Sequence, residues 1–296
     1  MEKNCSFVNK LLNMQHFLSY IDNRLGSRYS RNELKSITHL LLKELAGMSS
    51  VQIYCDKDTK FTDDITFQLN TSVERLFNGE PIQYILGQTI FFDLPFVVRP
   101  GVLIPRPETE ELVELILKDF RNKTRQMQLL DIGTGSGCIA VSLAKNLLKA
   151  NVSAWDISKD ALEIAVENAE INKVCVNFCL MDVRDPELLL DNSEKWDVIV
   201  SNPPYVCESE KATMESHVLE HEPHLALFIN DDDPLIFYRI ISEYAANHLH
   251  PGGGLYFEIN SHLGKETLLL VKQHGFGKAE LLQDLSGRDR MIRAFL

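Results

Sequence analysis

Apolar positions fall into three textures along the chain. Through the first 80 residues they recur every third or fourth position. Phe7, Leu11, Met14, Leu18 and Ile21 make one stripe, Leu34, Ile37, Leu41 and Leu45 a second, and Ile65, Leu69, Val73 and Leu76 a third. That spacing gathers each set on one face of an α-helix. Ser30 and Glu33 have capping-box spacing ahead of the second stripe, Gly47 stops it, and Gly79 and Pro81 end the third. The stripes predict a small helical bundle whose apolar faces are its core, with no catalytic constellation among them.

The texture changes at Pro81. The stretch to Pro105, "PIQYILGQTIFFDLPFVVRPGVLIP", mixes aromatic and β-branched residues with Gly and Pro, which predicts a short hairpin or extended connector. "PRPETEELVELILKDF" then predicts a helix opened by an acidic first turn. Beyond it, strand-like runs at 127–132, 152–156, 176–181, 196–201 and 254–259 alternate with helix-like segments at 137–148, 159–172, 234–249 and 264–274. Such alternation predicts a doubly wound, mostly parallel α/β sheet. "AELLQDLSGRDRMIRAFL" predicts two closing strands around a Ser-Gly turn, an antiparallel hairpin at the sheet edge. The predicted organisation is a helical domain over 1–76, a connector over 77–104 and an α/β domain over 105–296.

Composition narrows the class. The 296 residues suffice for two domains, and 45% hydrophobic with 24% charged residues is ordinary for a globular protein. No apolar run approaches the roughly 20 residues that span a bilayer. "MEKNCSFVNK" has neither an apolar core nor an Arg-rich amphipathic leader, and the six Cys show no paired spacing. The expectation is a cytoplasmic chain with reduced thiols and no membrane contact. Residues 1–80 hold 10 Lys+Arg and 10 Asp+Glu, leaving 20 against 32 in the remainder, so the net charge of −12 lies wholly in the larger C-terminal part. An acidic α/β domain disfavours a duplex-binding surface there, since affinity for nucleic acid rests on basic residues neutralising phosphates.

Two stretches carry the chemistry. In "LLDIGTGSGCIAVSLAK", Asp131 ends a predicted strand, Gly133-Thr134-Gly135-Ser136-Gly137 forms a loop, and a helix follows. Glycines at these positions permit a tight turn and bring a ligand against backbone amides at a helix start. No Lys-Ser/Thr follows, so it is not a P-loop, and Cys138 stands where a dinucleotide fingerprint needs its third glycine. Asp156 closes the next strand, placed to accept from ribose hydroxyls, and Asp182 the third, placed to accept from an adenine amino group. Together they predict a nucleoside site at the carboxyl edge of the sheet. The second stretch, "DVIVSNPPYV", ends an apolar strand on Asn202-Pro203-Pro204-Tyr205. Two prolines remove two backbone donors and fix φ twice, making a stiff corner at the same edge.

This corner resembles that of class I S-adenosylmethionine-dependent methyltransferases that modify planar nitrogens through an (Asn/Asp)-Pro-Pro-(Tyr/Phe) motif. The resemblance implies that the Asn202 side-chain oxygen and the Pro203 carbonyl accept the two N–H bonds of a delocalised nitrogen, while Tyr205 packs over the planar group. "EPIQYILGQTIFFDLPFVVRPGVLIPRPETEELVE" is in turn similar to the connector and first helix of the HemK/PrmC family, the release-factor glutamine methyltransferases. That family implies an all-α N-terminal domain joined by a β-hairpin to a class I methyltransferase domain with a seven-stranded sheet, and residues 1–76 are expected to dock the protein substrate. It implies S-adenosylmethionine as cofactor, no metal, and methylation of the glutamine side-chain amide in the Gly-Gly-Gln loop of class 1 peptide chain release factors. Gly133, Thr134, Gly135, Ser136, Gly137, Asp156, Asp182, Val183 and Asn202 would contact the cofactor. Asn202, Pro203, Pro204 and Tyr205 would hold the glutamine, and Arg106 and Glu108 would cover the cofactor side. The chain is expected to act as a monomer. Two departures from the family pattern, Asn260 after Phe257-Glu258-Ile259 and Asp233-Pro234, are expected to lie outside the methyl-transfer corner.

Competing readings differ in testable ways. The corner motif alone leaves the target open between a base and an amide. An adenine exocyclic-amine DNA/RNA methyltransferase would want a basic groove and usually a target-recognition insertion, neither of which is visible here. A cofactor-binding module without catalysis would not need the intact corner. His217-Val218-Leu219-Glu220-His221 fits the H-x-x-E-H zinc pattern, but Pro223 follows at once where a stable helix is wanted.

Overall fold

A computed structural model of the chain describes residues 13–189, 194–214 and 216–296. Phe7, Leu11 and Cys5 lie outside those residues. The chain divides into two compact units, Met1–Gly87 with Ser216–His221, and Gln88–Glu215 with Glu222–Leu296.

The first unit is helical: α1 (Met14–Leu25), α2 (Arg31–Ala46), α3 (Ser50–Cys55), α4 (Asp63–Phe77) and α5 (Ile82–Leu86). Each long helix starts where a side chain accepts a free backbone N–H, from Asn13, Ser30 and Thr62, and Ser30 and Glu33 form a reciprocal capping box. Gly47, at φ +64°, closes α2 in the left-handed conformation. Met14, Phe17, Ile21 and Leu25 are the buried face of α1, so Phe17 rather than Leu18 phases the stripe. They pack with Leu34, Ile37, Leu41, Leu69, Val73 and Leu76 in one core. Across it, Arg24 donates two hydrogen bonds to Glu74, which also accepts from Tyr20, and burial with Glu74 beside it pushes the Tyr20 phenol up to about 12. The helical unit runs to Gly87, because "IQYIL" folds as α5 instead of extending.

The second unit opens with the hairpin β1 (Gln88–Phe91) and β2 (Leu94–Val97), followed by α6 (Pro107–Phe120). Phe92 and Asp93 form its two-residue turn with φ of +50° and +60°, a conformation that usually selects Asn-Gly. Glu110 of α6 accepts the Phe92 N–H. The sheet unit continues as β3 (Met127–Ile132), α7 (Cys138–Asn146), β4 (Ala150–Asp156), α8 (Lys159–Asn172), β5 (Val176–Leu180), β6 (Trp196–Ser201) and β7 (Val206–Cys207). Next come α9 (Ser216–His221), which belongs to the helical unit, α10 (His224–Leu227) and β8 (Phe228–Ile229), which pairs with β7. The chain closes with α11 (Ile236–His248), β9 (Leu249–Glu258), α12 (Gly264–Gln273), β10 (Lys278–Gln283) and β11 (Asp289–Phe295).

Seven strands join in the order β10-β11-β9-β6-β3-β4-β5, parallel from β9 to β5, with β11 antiparallel to both β9 and β10. This is the expected class I methyltransferase sheet with its edge hairpin. Successive residues serve opposite faces. Leu129, Val198 and Val200 pack under α6 and α7, whereas Leu130, Ile199 and Phe257 pack under α11 and α12. On the second face Trp155 and Trp196 meet edge to face at 6.4 Å, and Trp196 Nε1 donates to the Tyr244 hydroxyl. Strand order reverses about β3, with β4 and β5 added on one side and β6 on the other. A crevice at the carboxyl ends of these strands is where such sheets take ligands. No described helix is long and apolar enough to cross a membrane.

Candidate active site

At the end of β3 the loop Gly133-Thr134-Gly135-Ser136-Gly137 turns through three left-handed glycines, with φ of +74°, +55° and +80°. The Gly133 and Thr134 N–H groups donate to the Trp155 carbonyl, and the Gly135 N–H to Oδ2 of Asp156 at 2.8 Å, so β4 holds the loop. A Cβ on Gly133 or Gly135 would meet nothing within 4 Å, whereas one on Gly137 would approach Ala165 Cβ at 3.0 Å. The first two glycines thus border open space, and the third lets α7 and α8 pack closely. Asn168 of α8 steadies the other side. Its amide donates to the Ser136 and Val97 carbonyls and accepts the Val97 N–H, tying the loop to the hairpin.

Three acids lie at neighbouring strand ends. Asp131 is fully buried, its Oδ2 accepts from Thr134 Oγ1 at 2.7 Å, and its Oδ1 has no hydrogen-bond partner. Burial pushes this carboxyl up to about 7, against the pull of the Thr134 hydroxyl. Asp156 accepts from the backbone of Ser158 and Gly135, and burial outweighs these bonds to raise its pKa. Asp182 lies just past β5, where the side chain and N–H of Arg184 both donate to its carboxylate and hold its pKa down. The acceptor expected for an adenine amino group is therefore already engaged by a neighbour two residues away. Val183 packs at the margin of the core on the α11 side.

β6 delivers the corner. Ser201 Oγ donates to the Ile132 carbonyl of β3 at 2.7 Å, which anchors the last residue before Asn202. Asn202 and Tyr205, at the two ends of the motif, converge on one buried carboxylate. Asn202 Nδ2 donates to Thr109 Oγ1 at 3.4 Å, Thr109 Oγ1 donates to Glu258 Oε2 at 2.7 Å, and the Tyr205 hydroxyl donates to Glu258 Oε1 at 3.3 Å. Burial with Glu258 alongside raises the Tyr205 phenol, which stays a neutral donor. Pro203 is buried between them.

Asn260, expected away from the corner, lies against it. Its Nδ2 donates to the Tyr205 carbonyl at 3.1 Å and to Glu210 Oε2 at 3.0 Å, the oxygen that also accepts the Cys207 N–H. The Asn260 side chain thus braces the exit from the corner. The other departure is local, since Asp233 pairs with Arg239 six residues on.

Arg106 precedes α6 and donates to Oε1 of Glu222 at 2.6 Å, while Oε2 of the same buried carboxylate accepts the Ile104 N–H. Glu108 sits half-buried in the first turn of α6. Sequence reasoning passed over Thr109, Glu222 and Glu258, although Thr109 adjoins Glu108 and Glu222 adjoins His221. His217 and His221 lie on α9, and among the described residues no group of three or more His, Cys, Asp or Glu is placed to hold a metal.

Residues 16–87 match the family model "PrmC N-terminal domain", and residues 95–226 match "Methyltransferase small domain". A release factor glutamine methyltransferase of Flavobacterium psychrophilum is 45% identical over 271 residues, 91% of this chain and 94% of that protein. The chain belongs to the release factor glutamine methyltransferase family. Another member, from Bacteroides thetaiotaomicron, is 44% identical over 95% of this chain and 99% of its own length. Among solved structures, a methyltransferase from Pyrococcus furiosus superposes with a TM-score of 0.50 at 20% identity, covering 69% of this chain and 90% of that one. A Thermus thermophilus 16S rRNA N2 G1207 methyltransferase, in complex with AdoMet and guanosine, gives 0.51 at 19%, covering 70% and 49%. At these identities the two structures establish the methyltransferase fold alone. Within the release factor glutamine methyltransferase family, both the helical N-terminal unit and the corner-bearing sheet unit have counterparts in this chain.

Proposed function

We propose that the chain transfers a methyl group from S-adenosylmethionine to the side-chain amide nitrogen of the glutamine in the Gly-Gly-Gln motif of class 1 peptide chain release factors, supporting translation termination in the cytoplasm. The observation that carries this reading is the stiff Asn202-Pro203-Pro204-Tyr205 corner on β6, the strand beside the one that ends in the glycine loop. The residues present fit the cofactor. Gly133 and Gly135 border space that a Cβ would enter, Asp131 keeps an unpartnered buried oxygen, and Asp156 presents a carboxylate at the next strand end. Thr134, Ser136, Gly137, Asp182 and Val183 complete the cofactor side, with Arg106 and Glu108 as its cover. When bound, S-adenosylmethionine supplies a methyl group on a positively charged sulfur.

The residues of the chain do the rest by positioning. An amide nitrogen is a poor nucleophile because its lone pair is delocalised into the carbonyl. Oδ1 of Asn202 and the carbonyl of Pro203 accept its two N–H bonds and aim the nitrogen, and Tyr205 packs against the amide plane. Alignment of reacting groups is worth about 7–11 kcal/mol when complete, and a corner with two prolines loses little of it to motion. No metal or strong base is needed, because the proton leaves after the nitrogen has gained its methyl group. The helical unit, matching the family's N-terminal domain over residues 16–87, is the docking module for the protein substrate, and the enzyme acts as a monomer.

The test is mass spectrometry of a Gly-Gly-Gln release factor after incubation with the protein and labelled S-adenosylmethionine, with a nucleic-acid arm in parallel. One added methyl on that glutamine is expected. Label on nucleic acid alone would overturn the reading.

A further inference from the structure

The polar groups beneath the corner form a chain with a direction. Glu258 and Thr109 are 1% and 2% exposed, so neither has water to fall back on. A threonine hydroxyl owns one proton. Thr109 gives it to Glu258 at 2.7 Å, the short end of the chain, and its oxygen is then left as an acceptor. An acceptor there can take only the NH2 end of the Asn202 amide, which it meets at 3.4 Å. The second oxygen of Glu258 is filled by the Tyr205 hydroxyl. Burial raises the Glu258 carboxyl above its usual range, while Thr109, Arg290 and Tyr205 each favour its ionised, acceptor-only form.

Direction matters because the two ends of an asparagine amide are nearly the same size and opposite in hydrogen-bonding sense. Turned one way, Asn202 presents an oxygen to the N–H bonds of the incoming nitrogen. Turned the other way, it presents an NH2 group, and two donors face each other. The 3.4 Å contact is long and weak by itself, but little is needed to choose between two states of nearly equal size.

We propose that Thr109 and Glu258 are positioning residues that set the sense of the Asn202 amide, holding its NH2 end inward so that its oxygen faces the nitrogen to be methylated. This rests on the methyl-transfer reading of the corner. Thr109 thereby gives a role to the threonine in the "PRPETE" stretch that opens α6, and the role ties that stretch to the corner on β6.

The test uses the full chain and a release factor. Thr109→Val removes the hydroxyl, and Glu258→Gln offers an NH2 that can reverse the chain. Each is expected to lower kcat by about ten- to a hundredfold, the loss of one well-placed hydrogen bond, with the Kd for S-adenosylmethionine and the Tm changing far less. Thr109→Ser keeps the hydroxyl and is expected to restore most of the rate lost in Thr109→Val. In an Asn202→Ala background Thr109→Val is expected to add almost nothing, whereas a role in folding alone would add its full cost. An unchanged kcat in Thr109→Val, or full additivity with Asn202→Ala, would overturn the proposal. A second readout needs no turnover: the Asn202 side-chain NH2 signal, assigned by its loss in Asn202→Ala, is expected to shift and exchange faster in Thr109→Val. An unmoved signal refutes the proposal. Failure of the parent protein to methylate the release factor would sink the proposed function, and the NH2 signal would still decide the orientation.

Discussion

Arg106 and Glu222, 116 residues apart, meet at 2.6 Å, with Glu222 fully buried and Arg106 about one-third exposed. Removing one partner of such a pair is costly mainly when it strands a buried charge. Arg106→Ala strands the Glu222 carboxylate with only the Ile104 N–H, and a loss of about 3 kcal/mol is expected. Glu222→Gln keeps an acceptor for Ile104 and frees an arginine that already reaches water, so about 1 kcal/mol is expected. Urea midpoints of the two variants check the asymmetry; equal losses would contradict it.

Asp131 makes stability depend on pH. Its carboxyl is near 7 when folded and in the ordinary carboxylate range near 4 when unfolded, so between these values the folded state holds the extra proton. Its contribution is fully present below about pH 4 and is lost as pH rises through about 7. Asp131→Asn is expected to remove a decline of up to about 1.4 kcal/mol per pH unit across that window. Denaturant titrations of the cofactor-free protein at pH 5, 6 and 7 measure it, and parallel slopes for parent and variant would refute it.

Two of the loop glycines are expected to answer differently to alanine. Gly133→Ala meets no protein atom within 4 Å, so it pays only the left-handed backbone strain of about 1–2 kcal/mol, while its methyl group enters the proposed cofactor space. Gly137→Ala adds a collision with Ala165 to the same strain and is expected to lose more stability. Calorimetry of ligand binding and thermal melts separate the two effects; a Gly133→Ala variant with normal cofactor affinity would contradict the placement.

Asn202→Ala removes one of the two acceptors proposed for the substrate amide. A fall in kcat of about ten- to a hundredfold is expected. Turnover on release factor at the parent rate would remove Asn202 from the proposed mechanism.

Asn260→Gly deletes two donated hydrogen bonds and the side chain that caps the turn after β9. A stability loss of about 1–2 kcal/mol is expected, since the Tyr205 carbonyl and Glu210 lose a shared donor. Thermal melts read it, and an unchanged Tm would show the brace to be idle.

What the sequence made legible was whatever repeats or ends an element. Apolar runs located β3 and β6, because strands buried on both faces read as continuous hydrophobic stretches, and shorter apolar runs located β4 and the edge strand β5. Period-three-and-four stripes located the long helices, and Gly and Pro marked the loop and the corner. Polar contacts across long separations have no periodicity, so nothing in the string joins Thr109 to Glu258, 149 residues away. Arg106 and Glu222 were likewise invisible as a pair, and Asn168 looks like one more polar helical residue until its three bonds are traced. Leu18 misphased the first stripe because its neighbour Phe17 is also apolar, and only packing decides which faces inward. "IQYIL" is ambiguous because so short a mostly apolar stretch suits strand and buried helix alike.

The two tryptophans of the chain occupy a single cluster, edge to face with each other, and Trp155 carries the carbonyl that holds the glycine loop. Tryptophan emission from this chain therefore comes from one buried pair, whose Trp155 lies one residue before Asp156 and is bonded directly to the glycine loop. Filling of the proposed cofactor site is expected to change that emission, which needs no attached label.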